Sequence, residues 1–237
     1  MVNQPDPWLP TSPRPPILIT GLPRSGTSLV TGLLGTAGLW LGRTVPGGSE
    51  NPTGFFEHEA LREQVQKRIL KRLGGDAGGV RRLPRLDSLP ELPALKSHVE
   101  DLLAKDGWTP DRRWGFKDAK LSLTWPIWHR AFPEALWVIV RRPRAAVIQS
   151  CLRTSFMKEH STDPAFWDSF VDAYLKRLEA LKRSDARWVE VFADDAAEGR
   201  FAALEDIARR AGLSWDEQAA RSLLRPDAYS AQSEAAA

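Results

Sequence analysis

Cysteine occurs once, at Cys151, which excludes an internal disulfide and any metal site built from several thiolates. The four histidines show no metal-ligand spacing, so no metal is expected. No apolar run approaches the roughly 20 residues of a membrane-crossing helix. The opening MVNQPDPWLPTSPRPP is polar and proline-rich and lacks the apolar segment of a secretory signal, so the expectation is a cytoplasmic protein without a membrane span. Charge of one sign is lacking too, since 33 Lys and Arg stand against 30 Asp and Glu, interspersed along the chain. That argues against a nucleic-acid partner. What remains is a length of 237 residues, 42% of them apolar, which suits a single α/β domain over residues 1–237. Within it, residues 1–15 read as an irregular lead-in and 230–237 as a flexible tail. Ten tryptophans are explained by core packing, with one or two available to stack on a base.

The stretch PILITGLPRSGTSLVTGLL, residues 16–34, organises the rest. Ile17-Leu18-Ile19-Thr20 reads as a strand, Gly21 to Ser28 as a tight loop, and Leu29, Val30, Leu33 and Leu34 recur at helical spacing. Two glycines and small hydroxyl residues at a helix start expose a row of amide groups suited to an anion. The spacing is that of a Walker A loop, but Thr27 stands where its lysine belongs, and the cation lies inside the loop at Arg24.

A second anion site follows from Leu136-Trp137-Val138-Ile139-Val140, a buried parallel strand that delivers Arg141 and Arg142 to its C-terminal end. Pro143 suits the start of a helix, and Ser150 lies about two turns along it. Arginine and serine at this spacing can clasp one phosphate.

The loop Pro23-Arg24-Ser25-Gly26-Thr27-Ser28 resembles the 5′-phosphosulfate loop of sulfotransferases that use 3′-phosphoadenosine 5′-phosphosulfate (PAPS), and Arg142 with Ser150 matches the 3′-phosphate site of that family. The proline that the family often has two places after its arginine would select Arg141 with Gln149 instead, and Arg142 is preferred because it keeps the serine. The resemblance implies a three-layer α/β/α fold around a central, mainly parallel sheet, like that of P-loop NTPases. Asn51-Pro52-Thr53-Gly54-Phe55-Phe56-Glu57 is similar to a family segment whose glutamate acts as general base, which assigns Glu57 that role, with His58 and Glu59 as alternatives. Glu57 and Glu59 are also what a helix N-terminus favours. Trp114-Gly115-Phe116-Lys117-Asp118 is similar to a Lys-Asp-Pro-Arg segment, with Ala119 and Lys120 in place of the last two residues. There the lysine lies near the sulfuryl oxygens, a role carried to Lys117. The resemblance thus implies metal-independent sulfuryl transfer from PAPS by Arg24, Lys117 and Glu57 to a small-molecule, carbohydrate or lipid acceptor. Two other readings stay open: a divergent nucleotide kinase with Asp194 holding Mg²⁺, and a nucleotide-binding module without catalysis.

The remaining pattern predicts a helix from Glu57 with Leu61, Val65, Ile69 and Leu73 inward and Arg62, Glu63, Lys67, Arg68 and Lys71 on its solvated faces. A Gly-rich break at 74–79 and an Arg-bearing excursion or lid to Pro93 come next. A helix ending before Gly107, a strand ending near Phe116, and a helix kinked or restarted at Pro126 follow. Residues 156–164 read as a loop, 165–182 as a long helix, 187–192 as a strand, and 204–211 as a helix stopped by Gly212. Leu39-Trp40-Leu41 reads as a short strand or a buried exit from the first helix.

Overall fold

In the computed structural model, residues 14–48, 51 and 54–224 are described. The lead-in up to residue 13, the tail, and Pro52 and Thr53 of the segment before Glu57 lie outside them. Among the described residues four strands, β1 (Ile17–Gly21), β2 (Gly115–Lys117), β3 (Leu136–Arg141) and β4 (Arg187–Phe192), form one sheet in the order β2-β1-β3-β4. All three pairings are parallel, with Ile19 opposite both Lys117 and Val138. Parallel strands need covering on both faces, and their near-continuous apolar sequences reflect that.

Because side chains alternate, the strands divide their residues between two cores. Leu18, Phe116, Trp137 and Ile139 point to the larger one. It is covered by α2 (residues 61–72), α3 (Leu95–Lys105), α4 (Leu121–Ala131), α5 (Arg144–Arg153), α6 (Ser155–Lys158) and α7 (Pro164–Lys182). Ile17, Ile19, Val138, Val140 and Val191 point the other way. That side is closed by α1 (Thr27–Thr36), α8 (Ala193–Ala197), α9 (Ala202–Arg210) and α10 (Glu217–Leu223). The result is the three-layer α/β/α arrangement expected. Trp114, Trp128, Trp137 and Trp167 are wholly buried, so these four rings are core and not stacking platforms.

Several local expectations are corrected. The helix expected from Glu57 starts later, because Val45 N–H donates to the Glu57 carbonyl and Thr44 bridges His58, holding that stretch extended. Glu57 therefore precedes the helix and is not in its first turn. The helix itself, α2, is π-wound over Leu61–Gln66 and α-helical over Lys67–Arg72. Of the two readings of Leu39-Trp40-Leu41 the buried exit from the helix is the one found, with Leu39 and Trp40 buried and Trp40 joined to the sheet by a single bridge to Trp114. Helix α4 runs through Pro126 without restarting. The loop expected at 156–164 opens with the single turn α6. Gly212 ends α9 as expected, at φ 67, with its N–H on the Arg209 carbonyl and that of Leu213 on Ala208. The excursion after the Gly-rich break is tethered. Tyr174 Oη donates to the Gly79 carbonyl at 2.9 Å, Arg81 to that of His160 at 2.7 Å, and Arg177 to that of Pro84 at 2.9 Å.

Candidate active site at the carboxyl ends of the strands

The loop from β1 to α1 turns tightly because two residues adopt left-handed backbone, Arg24 at φ 70 and Gly26 at φ 87. Such alternation turns successive amides toward one side. Gly26 is the N-cap of α1, with no side-chain cap and no acidic residue in the first turn. Ser25 N–H is taken by the Leu22 carbonyl at 3.1 Å, so that amide is not available as the sequence suggested. The amides of Gly26, Thr27 and Ser28 have no acceptor among the described residues. They carry the positive end of the α1 dipole. The Ser25 hydroxyl is buried beside them without a hydrogen-bond partner among the described residues. Buried polar atoms are almost always paired, so an orphan here is what an anion-binding loop presents. Gly21 makes the close packing possible, since a Cβ there would lie 2.5 Å from the Val140 carbonyl oxygen and 2.6 Å from Ser25 Oγ.

Strand β3 and helix α5 bring the second set of groups to the same place. Arg24 Nε donates to Ser150 Oγ at 3.1 Å, and Arg142 Nη1 donates to the Arg24 carbonyl at 3.3 Å. Arg142 Nε lies 3.6 Å from Asp194 Oδ1 at the start of α8. Arg141 turns elsewhere, pairing with Glu190 at 3.1 Å and Glu179 at 3.7 Å, while Gln149 is exposed. The structure thus joins Arg142 and Ser150 to the loop and leaves the alternative register outside it.

A second cluster forms where β2 ends. Lys117 Nζ contacts Glu57 Oε1 at 3.0 Å, and Arg62 Nε contacts Glu57 Oε2 at 3.0 Å. Glu57 and Lys117 are 8% and 3% exposed, so this pair is shielded from water. Burial pushes the Glu57 carboxyl up, but Lys117, Lys120 and Arg62 outweigh it and hold its pKa below the ordinary value. Next to it Asp118 is wholly buried, accepts from the Lys120 backbone at 2.9 Å, and pairs with Lys120 Nζ at 2.8 Å. Burial raises the Asp118 pKa, and the Glu57 charge adds to it. Thr20 fixes this turn to β1, donating to the Ala119 carbonyl at 3.1 Å and accepting from Ser122 N–H at 3.0 Å.

The other base candidates face away from Lys117. His58 Nδ1 accepts from Leu61 N–H at 3.4 Å, Nε2 lies 3.3 Å from Asp106, and burial holds its pKa below the ordinary imidazole value. Glu59 pairs with Arg43 at 3.4 Å on the surface. Sequence reasoning missed Arg62, assigned to a solvated helix face, and the part of Asp118 and Lys120. It also left out Asn51, whose amide reaches Ser28 Oγ at 3.2 Å and the Gly54 carbonyl at 2.7 Å. Among the described residues no group of three or more His, Cys, Asp or Glu is placed to hold a metal, and no helix is long and apolar enough to cross a membrane.

A four-stranded parallel sheet with a glycine-rich loop feeding a helix N-terminus defines a P-loop-like α/β protein. Within that class, the sulfotransferase family model matches residues 15–217, and the chain belongs to that family. Among solved structures, the sulfotransferase domain of the Synechococcus PCC 7002 olefin synthase is 18% identical. It covers 92% of this chain and 79% of its own, with a TM-score of 0.56. The sulfotransferase domain from the curacin biosynthetic pathway is 15% identical, covering 86% and 76%, with a TM-score of 0.51. At such identities the likeness concerns the fold. No curated protein matches the chain.

Proposed function

We propose that this chain transfers a sulfuryl group from PAPS to a hydroxyl or amine of a small-molecule, carbohydrate or lipid acceptor, by in-line displacement without a metal ion. The observation that carries the reading is the convergence of Arg142 and Ser150, more than 110 residues away in sequence, on the uncapped Gly26–Ser28 amides through Arg24. The amides and the orphaned Ser25 hydroxyl suit a 5′-phosphate, with Pro23 shaping the turn. Arg142 and Ser150 suit a 3′-phosphate, by a charge-assisted fork and a hydroxyl.

PAPS supplies a sulfur activated by its 5′-phosphate leaving group. A sulfuryl group carries less charge than a phosphoryl group, so Arg24 and Lys117 suffice to stabilise its oxygens and the departing phosphate. The acceptor oxygen bonds to sulfur, the bond from sulfur to the 5′-phosphate oxygen breaks, and the acceptor's proton passes to Glu57. The contact of Lys117 with Glu57 links these roles. While Lys117 rests on Glu57 it suppresses the basicity of the carboxylate. When Lys117 is drawn to the sulfuryl oxygens, Glu57 keeps only Arg62 and Lys120 and becomes a better base as the proton is released.

Calorimetric titration with 3′,5′-diphosphoadenosine, 5′-AMP, and ATP with Mg²⁺ tests the proposal. The expected result is tight binding of the first, weakened by at least about tenfold in Arg142→Ala, as loss of a charge-assisted contact requires. Preference for ATP with Mg²⁺ would return the kinase reading, although Asp194, its metal-holding candidate, is engaged by Arg142. Tight binding with no transfer to any acceptor in a PAPS screen would favour the non-catalytic module.

A further inference from the structure

Helix α2 faces two ways. Arg62 reaches Glu57, and Gln66 is locked to Thr124 at 3.0 Å and Trp128 at 2.8 Å. The positions i, i+3, i+4 and i+7 of Val65, Arg68, Ile69 and Arg72 turn instead to a cavity of about 430 Å³ between α2 and the segment that enters α3. Its walls are apolar, with Val65, Ile69, Leu92 and Leu95 contributing from both sides. Arg68 and Arg72, one helical turn apart, stand exposed at the rim together with His98, against one acid, Glu91. Elsewhere on the helix Arg62 pairs with Glu57 and Glu63, and Lys67 with Glu63. Neither Arg68 nor Arg72 has an ion-pair or hydrogen-bond partner among the described residues.

From this arrangement we infer that the cavity is a binding site for a free anionic amphiphile, a molecule with a medium-length alkyl chain and a single carboxylate or sulfate head. Chain burial against the apolar walls supplies affinity in proportion to the area removed from water. Guanidinium groups one turn apart supply the planar fork that a carboxylate or sulfate head accepts. The volume falls within the range of small-molecule sites, and the excess of positive charge at the rim selects the sign of the head. The lining includes neither Glu57 nor Arg62 nor any residue of the β1–α1 loop, so the site is separate from the proposed nucleotide site.

Calorimetry of the full chain with decanoate, below its micelle-forming concentration, tests the inference, with octyl glucoside as the uncharged comparison. Saturable one-to-one binding of decanoate is expected, at least about tenfold tighter than octyl glucoside. It should weaken about tenfold in the Arg68→Gln/Arg72→Gln double variant, as loss of the charged contact requires. Ala94→Trp, which fills the cavity from the exposed entry to α3, should abolish binding. Absence of saturable binding, or equal affinity for decanoate and octyl glucoside, would overturn the assignment. So would retention of decanoate binding in both variants, which places the ligand elsewhere, including the β1–α1 loop. A dimer that Ala94→Trp converts to monomer would give the cavity to a second copy of the chain and also overturn it.

Discussion

Replacing Lys117 by methionine tests whether the Glu57 contact is an energetically coupled buried pair. Removing one partner of such a pair costs about 3–5 kcal/mol when the other charge is left alone. Here Arg62 remains at 3.0 Å from Glu57 and Lys120 stays near, so about 2–3 kcal/mol is expected. Glu57→Gln strands the opposite charge, with a loss of similar size. The double variant strands neither, and should recover at least about 1 kcal/mol relative to the sum of the singles. Urea unfolding at pH 7, followed by tryptophan fluorescence, measures all four proteins. The pH dependence fixes the sign. Burial raises the Glu57 pKa, but the three cations bring it below its ordinary value of 4.5. Its contribution to stability is therefore full above the unfolded carboxyl's pKa and is lost as pH falls through the folded one. Lys117→Met raises the folded pKa, so the gap between wild type and variant should be widest at pH 7 and should close as pH falls through the carboxylate range. Additive single variants with a pH-independent gap would refute the coupling.

Three further outcomes follow from the packing. Gly21→Ala drives a Cβ to 2.5 Å from the Val140 carbonyl and should cost about 1–3 kcal/mol by overpacking, measured by urea unfolding, together with loss of the diphosphoadenosine binding proposed above. Tyr174→Phe removes the hydroxyl that holds the Gly79 carbonyl and should cost about 1 kcal/mol or more, with faster proteolysis within residues 74–93 as the readout. Burial pushes the Cys151 thiol up to about 12, against an opposing pull from Arg24, so maleimide should label it at neutral pH only at the rate of unfolding.

Sheet and loop were legible because their determinants are local. Ile17–Gly21 and Leu136–Arg141 are apolar runs that only a doubly covered parallel strand explains, and Gly21 to Ser28 carries its turn chemistry in order. The preference for Arg142 over Arg141 could be argued from spacing with Ser150. What side each arginine faces could not, because it depends on Glu190 and Glu179 capturing Arg141. Glu57 was chosen from a motif, but its place before the helix is decided by the bridge of residues 44 and 45 with 57 and 58. Arg62 read as one solvated charge among five on α2, and its pairing with Glu57, five positions earlier, comes with the extended stretch that residues 44 and 45 hold ahead of the helix.

The amino-acid sequence by itself thus determined the α/β architecture, the β1–α1 anion loop and the candidate residues, since backbone propensity, hydrophobic period and turn residues act over a few positions. Tertiary structure alone decided which charges of the candidate site meet. Lys117 and Glu57 are 60 positions apart, Arg24 and Ser150 126 apart. Contacts at such separations are set by how strands order and helices pack, and electrostatic coupling, which falls with distance and rises with burial, exists only once they have done so.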